Sequence, residues 1–330
     1  MYARFLLRRV GGMILVLLAM TFGVFYLQSV VPADPARAIA GPTTPLTKVE
    51  EIRKELGLDD PLVAQYFRYV SRLAHGDIGT SVRTRRPVAQ DIRQYFPASL
   101  ELLIAALLIG VAFSMLFALL PLIVRAGRSI NLMFIAAGSL PIFVSSLLLT
   151  YVFWFRLQWL PGGGRMADRS FEGPTGMNVI DGIITNEPVA SIDAIEHLIL
   201  PALALAFPIA IAVGRALSSA LYNVLQQPFI ATARGKGLHE LSVVLFHGIR
   251  NASPPALAML GLQIRLLFGN LLVVELVFSW PGLGLYMVQS LASADLPAVL
   301  GTTTVLGAFY LAVGAAVQLL QTLADPRIEL

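Results

Sequence analysis

Ala98-Ser-Leu-Glu-Leu-Leu-Ile-Ala-Ala-Leu-Leu-Ile-Gly-Val-Ala-Phe-Ser-Met-Leu-Phe-Ala-Leu-Leu-Pro-Leu-Ile-Val124 exceeds the ~20 apolar residues that carry an α-helix across about 30 Å of hydrocarbon. It reads as a membrane span. Five other stretches have the same character: Val10 to Val31, Ile130 to Leu157, His197 to Ala216, Pro255 to Ser279 and Val299 to Leu323. Composition agrees, with 56% hydrophobic and 13% charged residues, about half the charged share of an average soluble domain. A water-soluble globule is excluded, and the expected fold class is all-α, a polytopic membrane bundle of six transmembrane helices.

The first stretch follows Arg4, Arg8 and Arg9 and has two readings, a signal peptide or a retained span; it is longer than an h-region of roughly 7 to 15 residues, which favours the span. Short connections rich in Lys and Arg favour the cytoplasm. With the N-terminus inside, Arg4, Arg8, Arg9, Arg125, Arg128, Arg234, Lys236, Arg250 and Arg327 fall on the inner side, against Arg165 and Arg169 in the short outer connections. The segment from Ala33 to Pro97 then lies outside, and a segment of that length translocates largely regardless of its charge. Both termini are expected in the cytoplasm. The absence of cysteine excludes disulfides and thiolate chemistry.

The outer segment after the first span is punctuated as two short helices. Thr47-Lys-Val-Glu50 has capping-box spacing, Leu56-Gly57 is a stop, and Asp60-Pro61 reads as an N-cap followed by proline at N1. Leu62, Val63, Tyr66, Phe67, Val70 and Leu73 then form one apolar face before Gly76 ends the helix, a face suited to packing on the bundle or to a docking partner. The second outer segment, Leu160 to Glu196, is rich in glycine and acidic residues and is expected to be mostly loop.

Between spans four and five, Gln227 to Pro255 is too long and too apolar for a simple turn. Gly235 and Gly237 permit a reversal, after which Leu238, Leu241, Val244, Leu245 and Phe246 are expected to form a short cytoplasmic helix with an apolar side. That side either meets a protein partner or lies on lipid, which Arg234, Lys236 and Arg250 would also suit. Few ionisable residues fall within spans, so Arg265 and Glu275 in span five are candidate functional residues. Arg265 is expected near the midplane and Glu275 nearer the outer face, close to one face of the helix and both candidates for the substrate path; Arg265 would attract a carboxylate there or pair with a neighbouring helix, and Glu275 would alternatively serve packing or a subunit interface. Pro141, Pro201 and Pro208 mark kinks or hinges.

Ala231-Thr-Ala-Arg-Gly-Lys-Gly237 followed by His247-Gly-Ile-Arg-Asn251 resembles the cytoplasmic EAA loop of ABC importer permeases in the dipeptide, oligopeptide and nickel branch. Fragments similar to that branch recur in register: Gly76-Asp-Ile-Gly-Thr-Ser81 with Pro87-Val88, Ser139-Leu-Pro-Ile-Phe143 with Trp159-Leu-Pro161, His197 to Ala202, Glu275 to Gly284 and Asp325-Pro-Arg-Ile328. The sequence departs from the pattern at Ala231, at Arg265 and at Ala316-Val-Gln-Leu319.

The resemblance implies a type I importer permease fold (MetI-like), divided as a first span (1-32), an extracytoplasmic helical insertion (33-97) and a five-helix core (98-330) with a coupling loop at 223-254. It assigns Ala231, Ala233, Arg234, Gly235, Lys236, Gly237, Leu238, Leu241, Phe246, His247, Arg250 and Asn251 to ATPase coupling. The partners implied are a second, homologous permease, two ABC ATPase subunits that bind ATP and magnesium, an extracytoplasmic substrate-binding protein and the lipid of a prokaryotic inner membrane. No nucleic acid, and no cofactor bound by this chain, is expected. Peptides are the implied substrate, with nickel or another small solute as the alternative.

Catalytic chemistry has no visible seat. Gly235-Lys236 is followed by glycine, so no phosphate loop is present, and His75, His197, His239 and His247 are dispersed. An ion-coupled secondary transporter would need carboxylates at the midplane, where the sequence offers Arg265 instead.

Overall fold

A computed structural model describes residues 2–30, 35–41, 44–55, 57–123, 140–168 and 171–324. Val31, Leu56, Val124, Arg125, Arg128, Arg169, Arg327, residues 130–139 of span three with Ser139 among them, and the fragment Asp325 to Ile328 lie outside the described residues, as do the side chains of Arg4, Arg8 and Arg9. The described residues are helical without strands. Five helices are long and apolar enough to cross a membrane. In chain order the helices are α1 (Tyr2–Val30), α2 (Pro35–Ala40), α3 (Leu46–Glu55), α4 (Leu62–Ala74), α5 (Val88–Ile123), α6 (Ile142–Arg156), α7 (Asn178–Ile184), α8 (Pro188–Leu225), α9 (Pro228–Gly235), α10 (Glu240–Val277), α11 (Leu283–Ala292) and α12 (Leu296–Ala324). They form two compact units, Met1–Pro97 with Gly282–Ala312, and Ala98–Pro281 with Val313–Leu330.

In the first unit, α4 lies along the second half of α1 through a hydroxyl-rich aromatic seam. Tyr66 donates to the Leu18 carbonyl at 2.7 Å and shares a hydrogen bond of 2.9 Å with Thr21, while Tyr69 meets Thr304 of α12 at 2.9 Å. Each buried phenol thus has a partner, as hydroxyls removed from water require. Phe25, Tyr66, Tyr69 and Leu300 form the apolar core here. Only part of the expected α4 face is covered, because Val63 and Phe67 remain exposed.

The punctuation is corrected by a residue or two. Thr47 lies inside α3, whose first turn is bonded to the Pro45 carbonyl, and Pro61 itself is the N-cap of α4. The Asp60 carboxylate does not cap; it pairs with Arg68 at 2.6 Å. Both expected stops hold: Gly57 and Gly76 have φ of +62° and +81°, each closing paired 6→1 and 5→2 backbone bonds, Leu58 to Arg53 with Gly57 to Lys54, and Asp77 to Arg72 with Gly76 to Leu73. Among the described residues the segment 33–97 holds three helices ahead of α5, namely α2 to α4, rather than two, and α5 starts ten residues before the stretch at Ala98 that marked span two.

The loop from Gly76 to Pro87 is pinned by two buried carboxylates. Asp295 accepts from the Ser81 hydroxyl (2.5 Å), the Arg83 amide and the Ala298 amide. Asp91 accepts from Thr84 (2.5 Å) and from Tyr286 (2.9 Å), whose ring stacks on Tyr95 with centroids 4.9 Å apart. The sequence reading passed over both aspartates.

In the second unit, α5 and α8 approach through glycines. A Cβ on Gly110 would come within 2.9 Å of Ile209, and one on Gly214 within 2.8 Å of Phe117, the small-residue contact by which helices associate where lipid competes for apolar surface. Span five is longer than expected: α10 runs unbroken from Glu240 through Pro254 and Pro255. The carbonyl that Pro254 cannot serve, that of Arg250, accepts from the Ser253 hydroxyl at 3.0 Å instead. Span four also lengthens, since α8 begins at Pro188, and with α7 it replaces much of the expected loop between Leu160 and Glu196.

The segment between Leu160 and Glu196 is fastened at Glu101, which was not singled out from sequence either. Arg165 pairs with Glu101 at 2.5 Å and donates to the Gly176 carbonyl at 2.6 Å, and the Val179 amide donates to the second Glu101 oxygen at 2.8 Å. Beside it the Gly164 amide donates to the Phe278 carbonyl, the Trp280 indole to the Ala98 carbonyl, and the Ser99 hydroxyl to Glu275.

Two stability predictions follow from these contacts. Gly110→Leu or Gly214→Leu is expected to lower the unfolding midpoint in detergent, at a cost of about 1–3 kcal/mol, whereas Gly269→Leu, where nothing lies within 4 Å, should leave the isolated chain unchanged; equal effects at all three would refute the close-contact account. Arg165→Met strands a buried carboxylate and is expected to cost about 3–5 kcal/mol, with limited proteolysis appearing between Gly162 and Gly176 before it appears elsewhere.

Candidate functional site

The residues assigned to coupling form one continuous structure at the end of α8. Gln227 is extended, Pro228 occupies the first turn of α9, and the helix closes after Gly235 on Lys236. Gly237 then reverses the chain at φ +76°, a left-handed conformation in which a Cβ is penalised. His239 caps the next helix, its Nδ1 accepting from the Leu241 amide at 3.3 Å. Across the turn Arg234 grips Glu240 with two bonds, of 2.9 and 2.5 Å. The carboxylate raises the Arg234 pKa, chiefly through these hydrogen bonds.

The short helix expected after Gly237 is not separate. It is the start of α10, where Glu240–Ser242 runs into a π-helical stretch, Val243–Ile249, and on through Arg250–Val277 without a break. Alternation of burial explains its role. Ile230, Ala233 and Val243 are buried with Leu225 packed against them, and Gly248 would bring a Cβ within 2.9 Å of Leu221. The underside of the segment is therefore joined to the ends of both α8 and α10. On the other side, Leu241 is 57% and Phe246 73% exposed, and Leu238, Leu245, Phe229 and Tyr222 are exposed too.

The remaining assigned residues divide accordingly. Ala231, Lys236, Arg250 and Asn251 are exposed and His247 is half-buried; Asn251 donates to the His247 carbonyl at 2.7 Å. Phe229 and Tyr222 were not singled out from sequence, nor was Glu240, although its opposite charge six residues beyond Arg234 was a signal for a bridge across the glycine turn.

Arg265 and Glu275 lie farther along α10, Arg265 about 21 Å beyond Asn251 at 1.5 Å per residue. They do not share a face. Ten residues leave them about 80° apart, with Arg265 exposed and unpaired with any carboxylate among the described residues, and Glu275 fully buried, accepting from Ser99 at 2.6 Å. Among the described residues no three His, Asp or Glu side chains converge as a metal site.

Comparison with known proteins bears on this arrangement. The model of the family described as binding-protein-dependent transport system inner membrane component matches residues 110–330, and that of its N-terminal region matches residues 1–104. The chain is 39% identical over 327 residues to the "Probable D,D-dipeptide transport system permease protein DdpB" of Escherichia coli K12, covering 97% of this chain and 96% of that protein. It is 35% identical to the di/tripeptide transport system permease protein DppB of Pseudomonas aeruginosa, covering 98% of each. With the glutathione transport system permease protein GsiC of Salmonella paratyphi A it shares 33% identity, again over 98% of each. With apolar helices long enough to span, a joined segment at their ends and family matches across its length, the chain belongs to the binding-protein-dependent transport system inner membrane components, the multi-pass permease subunits of ABC importers.

Proposed function

We propose that the chain is the translocating subunit that moves di- or oligopeptides inward across the bacterial inner membrane by alternating access, driven by ATP hydrolysis on partner subunits. The observation that carries this reading is the joining of the 223–254 segment to two spans. Its buried side holds α9 to α8 and α10 through Leu225, Ile230, Ala233 and Val243, while its other side offers Leu241, Leu245 and Phe246 to the cytoplasm. Apolar side chains exposed in water favour a protein partner. A displacement of that partner is transmitted as a rigid-body movement, because α10 is continuous with the docking surface.

The partners are then two ATPase subunits that hold ATP and magnesium, a second homologous permease and a binding protein that delivers substrate from outside. In this reading the chain has six spans with both termini in the cytoplasm, so that the segment lies on the ATPase side. The names of relatives at 39% and 35% identity support peptide as substrate. Exposed Arg265, with no carboxylate partner among the described residues, has the charge to attract the carboxylate of a peptide in the path.

Gly237→Val in the assembled transporter is expected to cut substrate uptake at least tenfold while ATP hydrolysis persists, because a β-branched residue resists φ +76°. Gly237→Asn, which tolerates that conformation, should retain most uptake; full uptake by the valine variant would refute the role of the turn. Arg265→Gln is expected to weaken uptake of substrates with a free C-terminal carboxylate relative to amidated ones, and an unchanged preference would remove Arg265 from the path.

A further inference from the structure

The Gly76–Ser81 motif, which coupling does not use, forms one wall of a cavity of about 480 Å³ within the first unit. Its floor is apolar and comes from the ends of two spans, with Phe25 from α1 and Leu300 from α12, joined by Pro297 and the buried Tyr69. Its rim is cationic, carrying Arg68, Arg72 and Arg85 against a single carboxylate, Asp77. Arg68 is committed to Asp60 and to the Gly57 carbonyl, and Asp77 accepts from the Gly79 amide at 2.8 Å. Arg72 and Arg85 have no carboxylate partner among the described residues. Both are exposed.

Two rim positions are also strained. Arg85 and Ala294 hold φ of +57° and +53° without being glycine, a cost that persists where surrounding structure requires it and that clusters at ligand sites. An oxyanion held by two guanidinium groups above an apolar floor belongs to an amphiphile.

We propose that this cavity binds the phosphodiester headgroup of an anionic phospholipid, with the first carbons of its chains on the Phe25–Leu300 floor. Its position argues for lipid as the source. The floor belongs to the ends of membrane spans, where headgroups lie. The helix that supplies Arg68 and Arg72 is amphipathic and leaves Val63 and Phe67 exposed beside them, as helices resting in the interface do. Headgroup binding would then tie α4 and the Gly76–Ser81 loop to the bilayer.

The full chain in a neutral detergent is titrated with short-chain phosphatidylglycerol, short-chain phosphatidylcholine, inorganic phosphate and a dipeptide with a free carboxylate, following the unfolding midpoint. Phosphatidylglycerol is expected to bind at least tenfold more tightly than the other three. Arg72→Gln/Arg85→Gln should lose that tenfold, and Arg93→Gln, an exposed arginine outside the cavity, should not. Equal binding of phosphatidylcholine, or wild-type affinity in the double variant, overturns the site; equal binding of inorganic phosphate or of the dipeptide overturns lipid as its source. Should the double variant fail to fold, native mass spectrometry of the wild-type chain decides, with retention of phosphatidylglycerol over phosphatidylcholine expected and equal retention refuting the proposal.

Discussion

A peptide group in hydrocarbon has no water to bond, and the structure follows from that constraint. Spans must be continuous helices that bond their own peptide groups, as the five long apolar helices do. The same requirement governs the side chains. Tyr66, Tyr69, Tyr286 and Trp280 are buried aromatics, yet each phenol or indole donor reaches an oxygen. Helices held only by contact must approach closely, which puts Gly110 and Gly214 where α5 and α8 touch.

Charge follows the same economy. Three buried carboxylates near the ends of long helices organise connecting segments. Asp91 and Asp295 hold the Gly76–Pro87 loop, and Glu101 with Arg165 holds the segment after α6. Burial of such groups is tolerable only with hydrogen bonds to spare. The family fragment beginning at Glu275 meets the glycines that follow Pro161 and the start of the stretch at Ala98, with Gly164 donating to Phe278 while Trp280 donates to Ala98. Segments far apart in sequence are thus parts of one junction.

The coupling segment works on a different principle, asymmetry of burial. Its small and β-branched residues, Ala233, Ile230 and Val243, face the spans, and its large ones, Leu241 and Phe246, face outward. An isolated helix with such a face would dock and detach without moving anything. Continuity with α10 turns the same face into a lever.

Sequence by itself determined the membrane class, because length and apolarity of a run are local properties that translate directly into a helix that must span. It also determined the position of the coupling turn, since Gly237 is needed at a left-handed φ, and the stops at Gly57 and Gly76 for the same reason. Tertiary structure alone decided what depends on a partner distant in the chain. Asp60 pairs with Arg68 instead of capping because the guanidinium reaches it; Glu101 becomes a hub because Arg165 folds back onto it; Arg265 and Glu275 separate into exposed and buried because neighbouring helices cover one side of α10 only. Spacing along a chain records which residues share a face, whereas burial and pairing are set by what other segments bring against that face.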